Sequence, residues 1–474
     1  MGGFGGKIGP EDQEELMDSL SRRALLRGTL AAAGGLAAAK LLPSGSGLQK
    51  AVLGDQELRT NPNLEAFLAA NINWRKYAGT TVTFAASANP WVTAIQPQLS
   101  AFEKLTGITI NMSVLGEDEF VTKLPITLSS GASTPDIFMI DQLGQAISAR
   151  WMAPINQFLE DKTLTDTSWY DQADFFPAAL AFPTVKGTQW AAPITAEAQL
   201  IYARRDLVPK APPSFPALES AAAAAAKAGS TAGIVMRAVS DPSETPWPLG
   251  GFVFSYGGYF IDPDGNPGFT TPEALEAVTV YTTLLSKYGP RGVAGWGWEQ
   301  SEQAFEGGAA AMFSDSSSFA SAILNPSTAK YATQTTLYSL PKHNGIVRPN
   351  VWYWTVGINK NSKAANAAWL FLQWATSKPT TLGLAAVTGT ATRSSAWASP
   401  ALAKALGNEA ASTIRSTLIG ADSQPMALAW TNANWSTIAT AVAEGISSIV
   451  AGETTVGKAM SQVQKSAVSA LKSK

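Results

Sequence analysis

The sequence predicts an α/β protein that is organised as two lobes or domains. The chain has 474 residues, of which 46% are hydrophobic and 15% charged, so it can bury a sizeable core and is long enough for more than one. Between residues 81 and 140, strand-like and helix-like segments alternate, which is typical of an open parallel sheet flanked by helices. In such sheets ligands bind beyond the carboxyl ends of the strands.

The first strand and helix of this alternation are well marked. Residues 81–86 form an apolar, β-branched run directly after Gly79, which predicts a strand. Apolar residues then recur at helical spacing from Ile95 to Leu105. Gly107 is placed to end this helix, since glycine favours the left-handed conformation that follows a helix.

The alternation continues and is followed by a segment that crosses the molecule. A strand over 108–114, a helix over 119–128 and a short strand over 137–140 complete the first unit, and the last strand is apolar throughout, as expected when both faces are covered. Residues 193–202 predict a further crossing strand. The alanine-rich run at 221–226 is interpreted as helix.

Two later helices complete the outline. The turn residues 262–266 precede a helix over 272–288. Their spacing has some likeness to a calcium-binding loop, but the glutamate that such a loop requires at its end is missing, so a plain turn is favoured. A helix over 364–375 carries Trp369 and Trp374, which are expected in the core because tryptophans in a regular apolar helix usually pack inward.

Composition excludes several classes of function. The chain contains no cysteine and one histidine, His343, so thiolate metal sites, cysteine nucleophiles and imidazole-based catalysis are not expected. The net charge is -2 and there is no long basic run, which argues against nucleic acid as a partner. We expect no cofactor and no bound metal, and a neutral ligand suits this balance of charges.

The first fifty residues are expected to direct export. Arg22 and Arg23 lie in a twin-arginine motif that is followed by a mildly apolar stretch over 28–39 and by small residues suited to cleavage. The mature protein is expected to start between 40 and 50, so 1–50 is interpreted as signal segment and linker. The alternative is an amphipathic N-terminal helix; the apolar run is too short to span a bilayer.

Tryptophan is unusually frequent, at 15 residues against 10 tyrosines. Several tryptophans stand beside Pro, Asn or Gly in apparent loops, where a flat apolar ring is of more use as a ligand platform than in packing.

Seven blocks of the sequence are informative in their order along the chain: 101–108 (AFEKLTGI), 135–141 (PDIFMID), 152–158 (MAPINQF), 192–202 (APITAEAQLIY), 270–289 (TTPEALEAVTVYTTLLSKYG), 304–312 (AFEGGAAAM) and 355–374 (TVGINKNSKAANAAWLFLQW). In this order they resemble the family of extracellular solute-binding proteins of ABC sugar importers, of the maltodextrin-binding type. The ordered set covers most of residues 79–380, whereas the C-terminal hundred residues match less clearly.

The resemblance implies a periplasmic-binding-protein-like fold with two α/β lobes, each a mainly parallel sheet flanked by helices, and a ligand cleft between them. The chain would cross between the lobes more than once. Lobe 1 would comprise 79–196 and 337–378, and lobe 2 would comprise 197–336 and 379–474. The implied partners are a small-molecule carbohydrate and a membrane permease, and the protein is expected to be a monomer.

The resemblance also implies hydroxyl-binding carboxylates in the cleft. Asp141 follows the PDI strand and Glu197 lies in the crossing segment, at positions where maltodextrin-type binders place such groups. Asp241, ahead of Pro242, is similar to another polar cleft position. The alternatives stay open: Asp141 could cap the next helix, and Asp241 could be a turn residue.

Aromatic platforms are implied in the same way. Trp247 resembles the family's aromatic strip on the second lobe, and Trp435 matches a late aromatic residue that stacks on sugar. Trp352 and Trp354 precede a strand that lines the first lobe, and residues two apart on a strand point to the same face. Trp91, after the first strand, completes the set. Core packing remains the alternative for each.

The sequence departs from the maltodextrin-binding pattern at 314–318, where serines and an aspartate replace the family's aromatic residue, and this favours a compact ligand with more hydroxyl contacts. We therefore expect an exported carbohydrate receptor of an ABC importer, without catalytic residues. The alternatives are a non-sugar cargo such as a polyamine, a phosphodiester or iron, and an exported glycosidase using Asp141 and Glu197. Arg204 and Arg205 give no clear sign of an anion site.

Overall fold

The structure, a computed structural model, describes residues 64–228 and 231–472. The signal segment predicted for 1–50, with its twin-arginine motif, lies outside the described residues. Ahead of the first strand, residues 64–78 form a short helix followed by turns. Phe67 and Trp74 are buried there, because their rings pack edge to face against each other and join the aromatic core of the first sheet.

The first sheet has six strands in the order β2-β1-β3-β12-β4, with β7 also pairing β12. β1 pairs in parallel with β2 and β3, as the β-α-β-α-β prediction required, whereas β12 runs antiparallel to β3, β4 and β7. Its strands are β1 Thr81–Ser87, β2 Thr109–Leu115, β3 Ile137–Ile140, β4 Met152–Ala153, β7 Ala192–Pro193 and β12 Thr355–Asn359. All four residues of β3 are buried, which confirms coverage on both faces.

The second sheet has four strands built around β8, which pairs antiparallel with β9, β10 and β11. Its strands are β8 Glu197–Arg204, β9 Met312–Ser316, β10 Thr335–Ser339 and β11 Val351–Trp352. Parallel pairing occurs here only as isolated bridges such as Val235 with Phe313 among the described residues. The short hairpin β5 Thr184–Val185 with β6 Thr188–Gln189 stands apart.

The chain passes twice between the two sheets in short segments. It leaves β7 of the first sheet and enters β8 of the second across residues 194–196, and it returns from β11 to β12 across 353–354. The prediction that the chain returns to lobe 1 at residue 337 is therefore wrong, because the strands on either side of that boundary pair with the second sheet. β10 and β11 both hydrogen-bond to β8, so 337–352 belong with the second sheet.

Helices cover both sheets. They are α1 Leu64–Leu68, α2 Pro90–Ile95, α3 Leu99–Thr106, α4 Glu117–Ser129, α5 Leu143–Ser148, α6 Asn156–Glu160, α7 Thr167–Tyr170, α8 Pro177–Ala181, α9 Phe215–Ala228, α10 Pro246–Ser255, α11 Pro272–Tyr288, α12 Trp298–Glu306, α13 Ala320–Ile323, α14 Ala365–Ala375, α15 Lys378–Thr388, α16 Ser394–Ala398, α17 Pro400–Leu406, α18 Asn408–Gly420, α19 Gln424–Trp430, α20 Trp435–Val450 and α21 Val456–Lys472. None of the described helices is long and apolar enough to cross a bilayer.

Local signals in the sequence account for several of these boundaries. Gly107 ends α3 in the left-handed conformation, at φ 72°, as predicted. Helix α11 begins at Pro272, where the Thr271 side chain caps the backbone N–H of Ala274. In α14 both Trp369 and Trp374 are buried, which confirms their assignment to the core.

Candidate functional site

One cavity is lined by residues from both sheets. It has an empty volume of about 970 Å³, including the space open to solvent. The lining is Ala88, Asn89, Pro90, Glu117, Val121, Asp141, Gln142, Glu197, Arg237, Pro242, Ser243, Pro246, Trp247, Trp298, Ser318, Phe319, Trp352, Trp354, Met426, Trp435, Ser436 and Ala439. Five of these residues are tryptophans, three are acidic and one is basic.

The first sheet contributes polar residues at its strand ends. Asn89 follows β1, Glu117 follows β2 as the first residue of α4, and Asp141 directly follows β3. Because the three strands are parallel, their carboxyl ends meet at one edge, which is where a ligand site is expected in an open α/β sheet. Asp141 does not cap α5: the N-cap position is Gln142, which makes no side-chain cap bond.

Glu197 is a buried carboxylate held by hydroxyl groups. It begins β8 and pairs with Trp352 on β11, so the two residues are cross-strand neighbours. Its Oε1 accepts from Thr195 Oγ1 at 3.1 Å, and its Oε2 accepts from Ser316 Oγ at 2.6 Å and Ser318 Oγ at 3.3 Å. Burial raises the pKa of Glu197, and these three hydroxyls act against that rise. The serine-rich stretch at 314–318 thus orients a cavity carboxylate.

Arg237 is the only basic residue in the lining, and its guanidinium is already engaged. Asp315, which is fully buried, accepts two hydrogen bonds from it, Nε to Oδ2 at 2.8 Å and Nη2 to Oδ1 at 2.6 Å. Glu244 accepts a third from Nη1 at 3.2 Å and also accepts from the backbone N–H of Trp298. Two carboxylates therefore share one cation, and the cluster adds no positive charge to the cavity.

Burial raises the pKa values of the three carboxyl groups that line the cavity. Burial raises the pKa of Asp141 to about 6, and the charge of Asp241 adds to the rise. The pKa of Glu117 is raised well above its usual value by burial and by Glu244, Asp141 and Asp241, although Arg237 acts in the opposite direction. On balance these effects disfavour the ionised forms of Asp141 and Glu117.

Trp352 and Trp354 form an edge-to-face pair in the lining, with ring centroids 5.7 Å apart. Trp352 also packs against Trp430, whose indole N–H donates to the backbone carbonyl of Asp141. Trp430, which does not line the cavity, therefore supports the ring of Trp352 and the backbone of Asp141. The Nε1 of Trp352 is buried, and no described residue accepts its hydrogen bond.

Three further tryptophans line the cavity from other helices. Trp247 lies in α10 rather than on a strand; its Nε1 is also buried without a partner among the described residues, and the guanidinium of Arg237 lies 5.4 Å from its ring centroid. Trp435 begins α20 and stacks on Phe260. Trp298 begins α12 and stacks on Phe319 of the lining at 5.4 Å, nearly parallel.

Six of the eight residues singled out from the sequence line this cavity: Asp141, Glu197, Trp247, Trp352, Trp354 and Trp435. Trp91 does not; it is buried behind Asn89 and Pro90 against Phe84, which is the core role left open for it. The Asp241 side chain does not line the cavity either. Its Oδ1 accepts from the N–H and the hydroxyl of Ser243, so it acts as the turn residue that was the alternative.

The sequence did not single out Glu117, Arg237, Glu244, Trp298 or Ser318. Glu117 could have been found by applying the strand-end rule to β2 as well as to β1 and β3. Arg237 follows a segment that joins the second sheet only by an isolated bridge at Val235, so no strand pattern marks it.

Among the described residues, no group of acidic or histidine side chains is arranged to hold a metal ion.

Two sheets, two short crossings and a cavity lined from both sides define a two-lobed ligand-binding protein of the α/β class. The chain belongs to the bacterial extracellular solute-binding protein family, whose model matches residues 85–381. This confirms the resemblance noted in the sequence.

Curated relatives and solved structures agree with this assignment. The chain is 27% identical over 345 residues to the erythritol/L-threitol-binding protein of Mycolicibacterium smegmatis, covering 68% of this chain and 72% of the relative. It is 26% identical to the mannitol-binding protein of Pseudomonas aeruginosa, covering 63% and 69%. A solute-binding protein of Agrobacterium vitis with bound D-mannitol is 26% identical, with a TM-score of 0.72, covering 82% of this chain and 98% of that one. The fold is thus a two-lobed periplasmic-binding-protein fold.

Proposed function

We propose that this protein is an exported receptor that binds a polyol or small sugar between its lobes and delivers it to an ABC-type permease. One observation carries the proposal: carboxylates and indole rings from both sheets converge on a single cavity. Carboxylates accept hydrogen bonds from ligand hydroxyls, and indole faces cover the C–H surface of the carbon chain or ring. Hydroxylated small molecules present both kinds of surface.

A compact ligand of about four to six carbons fits the site better than a long oligosaccharide. The relatives named above bind erythritol, threitol and mannitol. In addition, Ser316 and Ser318 stand where the maltodextrin-binding pattern has an aromatic residue, and their hydroxyls hold Glu197. The serines thus remove a surface on which a sugar could stack, and they fix the Glu197 carboxylate so that it can accept hydrogen bonds from ligand hydroxyls.

Closure of the lobes would occur at the two crossing segments. We propose that the lobes meet at 194–196 and 353–354, because these residues connect strands of different sheets. Ligand contacts made only when both lobes engage would supply the free energy for closure.

We also propose export by the twin-arginine route, a monomeric state and the absence of enzymatic activity. The family is one of binding proteins. Release of reducing sugar from oligosaccharides by the purified protein would revive the glycosidase alternative.

Titration calorimetry with erythritol, ribitol, mannitol and maltose tests the proposal. We expect binding in the micromolar range, about -8 kcal/mol, for at least one polyol and weaker binding of maltose. Absence of binding to every polyol and sugar in the panel would refute the proposed cargo.

A further inference from the structure

The cavity is lined by three carboxyl groups and by a single basic side chain that already has acidic partners. Glu117, Asp141 and Glu197 line it, and none of them forms an ion pair with a described residue. The single cation of the lining, Arg237, is held by Asp315 and Glu244. The three carboxyl groups can therefore be fully ionised only if a positive charge comes from solvent or from the ligand.

The same cavity has donors without acceptors. The indole nitrogens of Trp247 and Trp352 are buried in rings that are 7% and 9% exposed, and no described residue accepts from them. Buried donors of this kind are ordinarily satisfied, so a ligand oxygen is the expected acceptor. Indole faces also attract cations, which adds to the preference for positive charge in a cavity with five tryptophans.

We propose that the preferred ligand is an amino-substituted polyol or amino sugar, with an ammonium group that meets Glu117 and Asp141 and hydroxyl oxygens that accept from the indoles. This inference rests on the proposed function, because it names the ligand class of the same site. A neutral polyol can occupy the cavity, but it leaves the carboxylates without a counter-charge.

The titration behaviour of the site provides a second signature. Burial raises the pKa values of both Glu117 and Asp141, and neighbouring carboxylates add to the rise. An arriving ammonium group would lower them again, so its binding would release protons around pH 6, where Asp141 is partly protonated. A neutral polyol would release fewer.

The experiment compares ligands that share one carbon skeleton. Calorimetry near pH 6 with sorbitol, with glucamine, in which an amine replaces one terminal hydroxyl, and with neutral N-acetylglucamine isolates the effect of the charge. We expect glucamine to bind more tightly than sorbitol by a factor of about ten or greater. Its binding enthalpy should depend on the ionisation enthalpy of the buffer, and added salt should weaken it selectively.

Variants then locate the charge. In Glu117→Gln and Asp141→Asn the ratio of glucamine to sorbitol affinity should fall towards one. The matched control is Glu119→Gln on the same helix, whose carboxylate is 46% exposed and paired with Lys123, and this variant should keep the wild-type ratio. The comparison of ligands on the unmodified protein needs no variant to fold.

The outcomes separate the two proposals. Sorbitol or mannitol binding as tightly as glucamine would overturn the inference and leave the receptor function standing. Failure of every polyol, sugar and amine to bind would instead count against the receptor function itself. A glucamine advantage that the two cavity variants do not reduce would also overturn the assignment of the charge to these residues.

Discussion

Replacing Asp315 with asparagine removes one charge from a buried ion pair beside the cavity. Asp315 is fully buried and accepts two of the hydrogen bonds that hold Arg237, whereas Glu244 accepts only one, at 3.2 Å. The variant leaves a buried guanidinium with its weaker partner alone. We expect the free energy of unfolding to fall and Arg237 to lose its fixed orientation in the cavity wall.

The magnitude follows from the burial of the pair. Removing one partner of a buried ion pair costs about 3–5 kcal/mol, because the other charge stays out of water without compensation. Glu244 remains as an acceptor for Arg237, so we expect the lower end, about 3 kcal/mol. Glu244→Gln should cost less, since burial raises the pKa of Glu244 to about 7 and part of its population is already neutral near that pH.

Urea unfolding followed by tryptophan fluorescence measures these differences. The matched control is Glu409→Gln, which breaks the ion pair with Arg205 in which the two side chains are 63% and 54% exposed. Exposed pairs contribute about 0–1 kcal/mol. The expected order of destabilisation is Asp315→Asn, then Glu244→Gln, then Glu409→Gln. A loss below about 1 kcal/mol for Asp315→Asn, or one equal to that of the control, would refute the reasoning.

Three further outcomes are expected. Trp352→Ala should weaken ligand binding about tenfold or more in calorimetry, since a buried aromatic contact is lost; unchanged affinity would remove this ring from the site. The free energy of unfolding of the ligand-free protein should fall as pH rises from about 4 to about 6, because the pKa of Asp141 is raised to about 6 and the folded state holds that proton more tightly. Asp141→Asn should reduce this dependence on pH. An unchanged dependence in the variant would contradict the assignment. Gly144→Ala should destabilise the fold by about 2 kcal/mol or more and weaken ligand binding, because the added Cβ would lie 2.3 Å from the backbone of Asn432. The control is Gly116→Ala, whose Cβ would have no atom within 4 Å. Thermal melts and ligand titrations should show no loss of stability or affinity for this control.

Much of the fold could be predicted because its signals are local. The strand β3 is a continuous apolar run, Gly107 ends α3, and Pro272 begins α11, and each of these depends only on nearby residues. Strand pairing is different. Nothing near β10 says that it pairs with β8, about 130 residues earlier, so the boundary placed at residue 337 was wrong.

The candidate site shows the same division. Asp141 could be predicted because the end of a parallel strand is a known location for ligand contacts. The cluster of Arg237, Glu244 and Asp315 could not, since Asp315 on β9 meets the irregular segment that carries Arg237 and Glu244 only through the fold. Asp241 and Trp91 fit the sequence pattern, yet a turn and the core account for their side chains.

The two crossing segments are joined to each other, with Ile194 N–H donating to the carbonyl of Trp354 at 2.7 Å and Trp354 N–H to Thr195 Oγ1 at 3.2 Å. Because these hydrogen bonds connect them, the two segments would rotate together as one hinge. Glu197 and Trp354 lie close to this hinge and would move little during closure, whereas residues at the cleft entrance, far from the hinge, would move farther. Residues near the hinge would therefore contact a ligand already in the open receptor, and those at the entrance would determine how fast the ligand is enclosed.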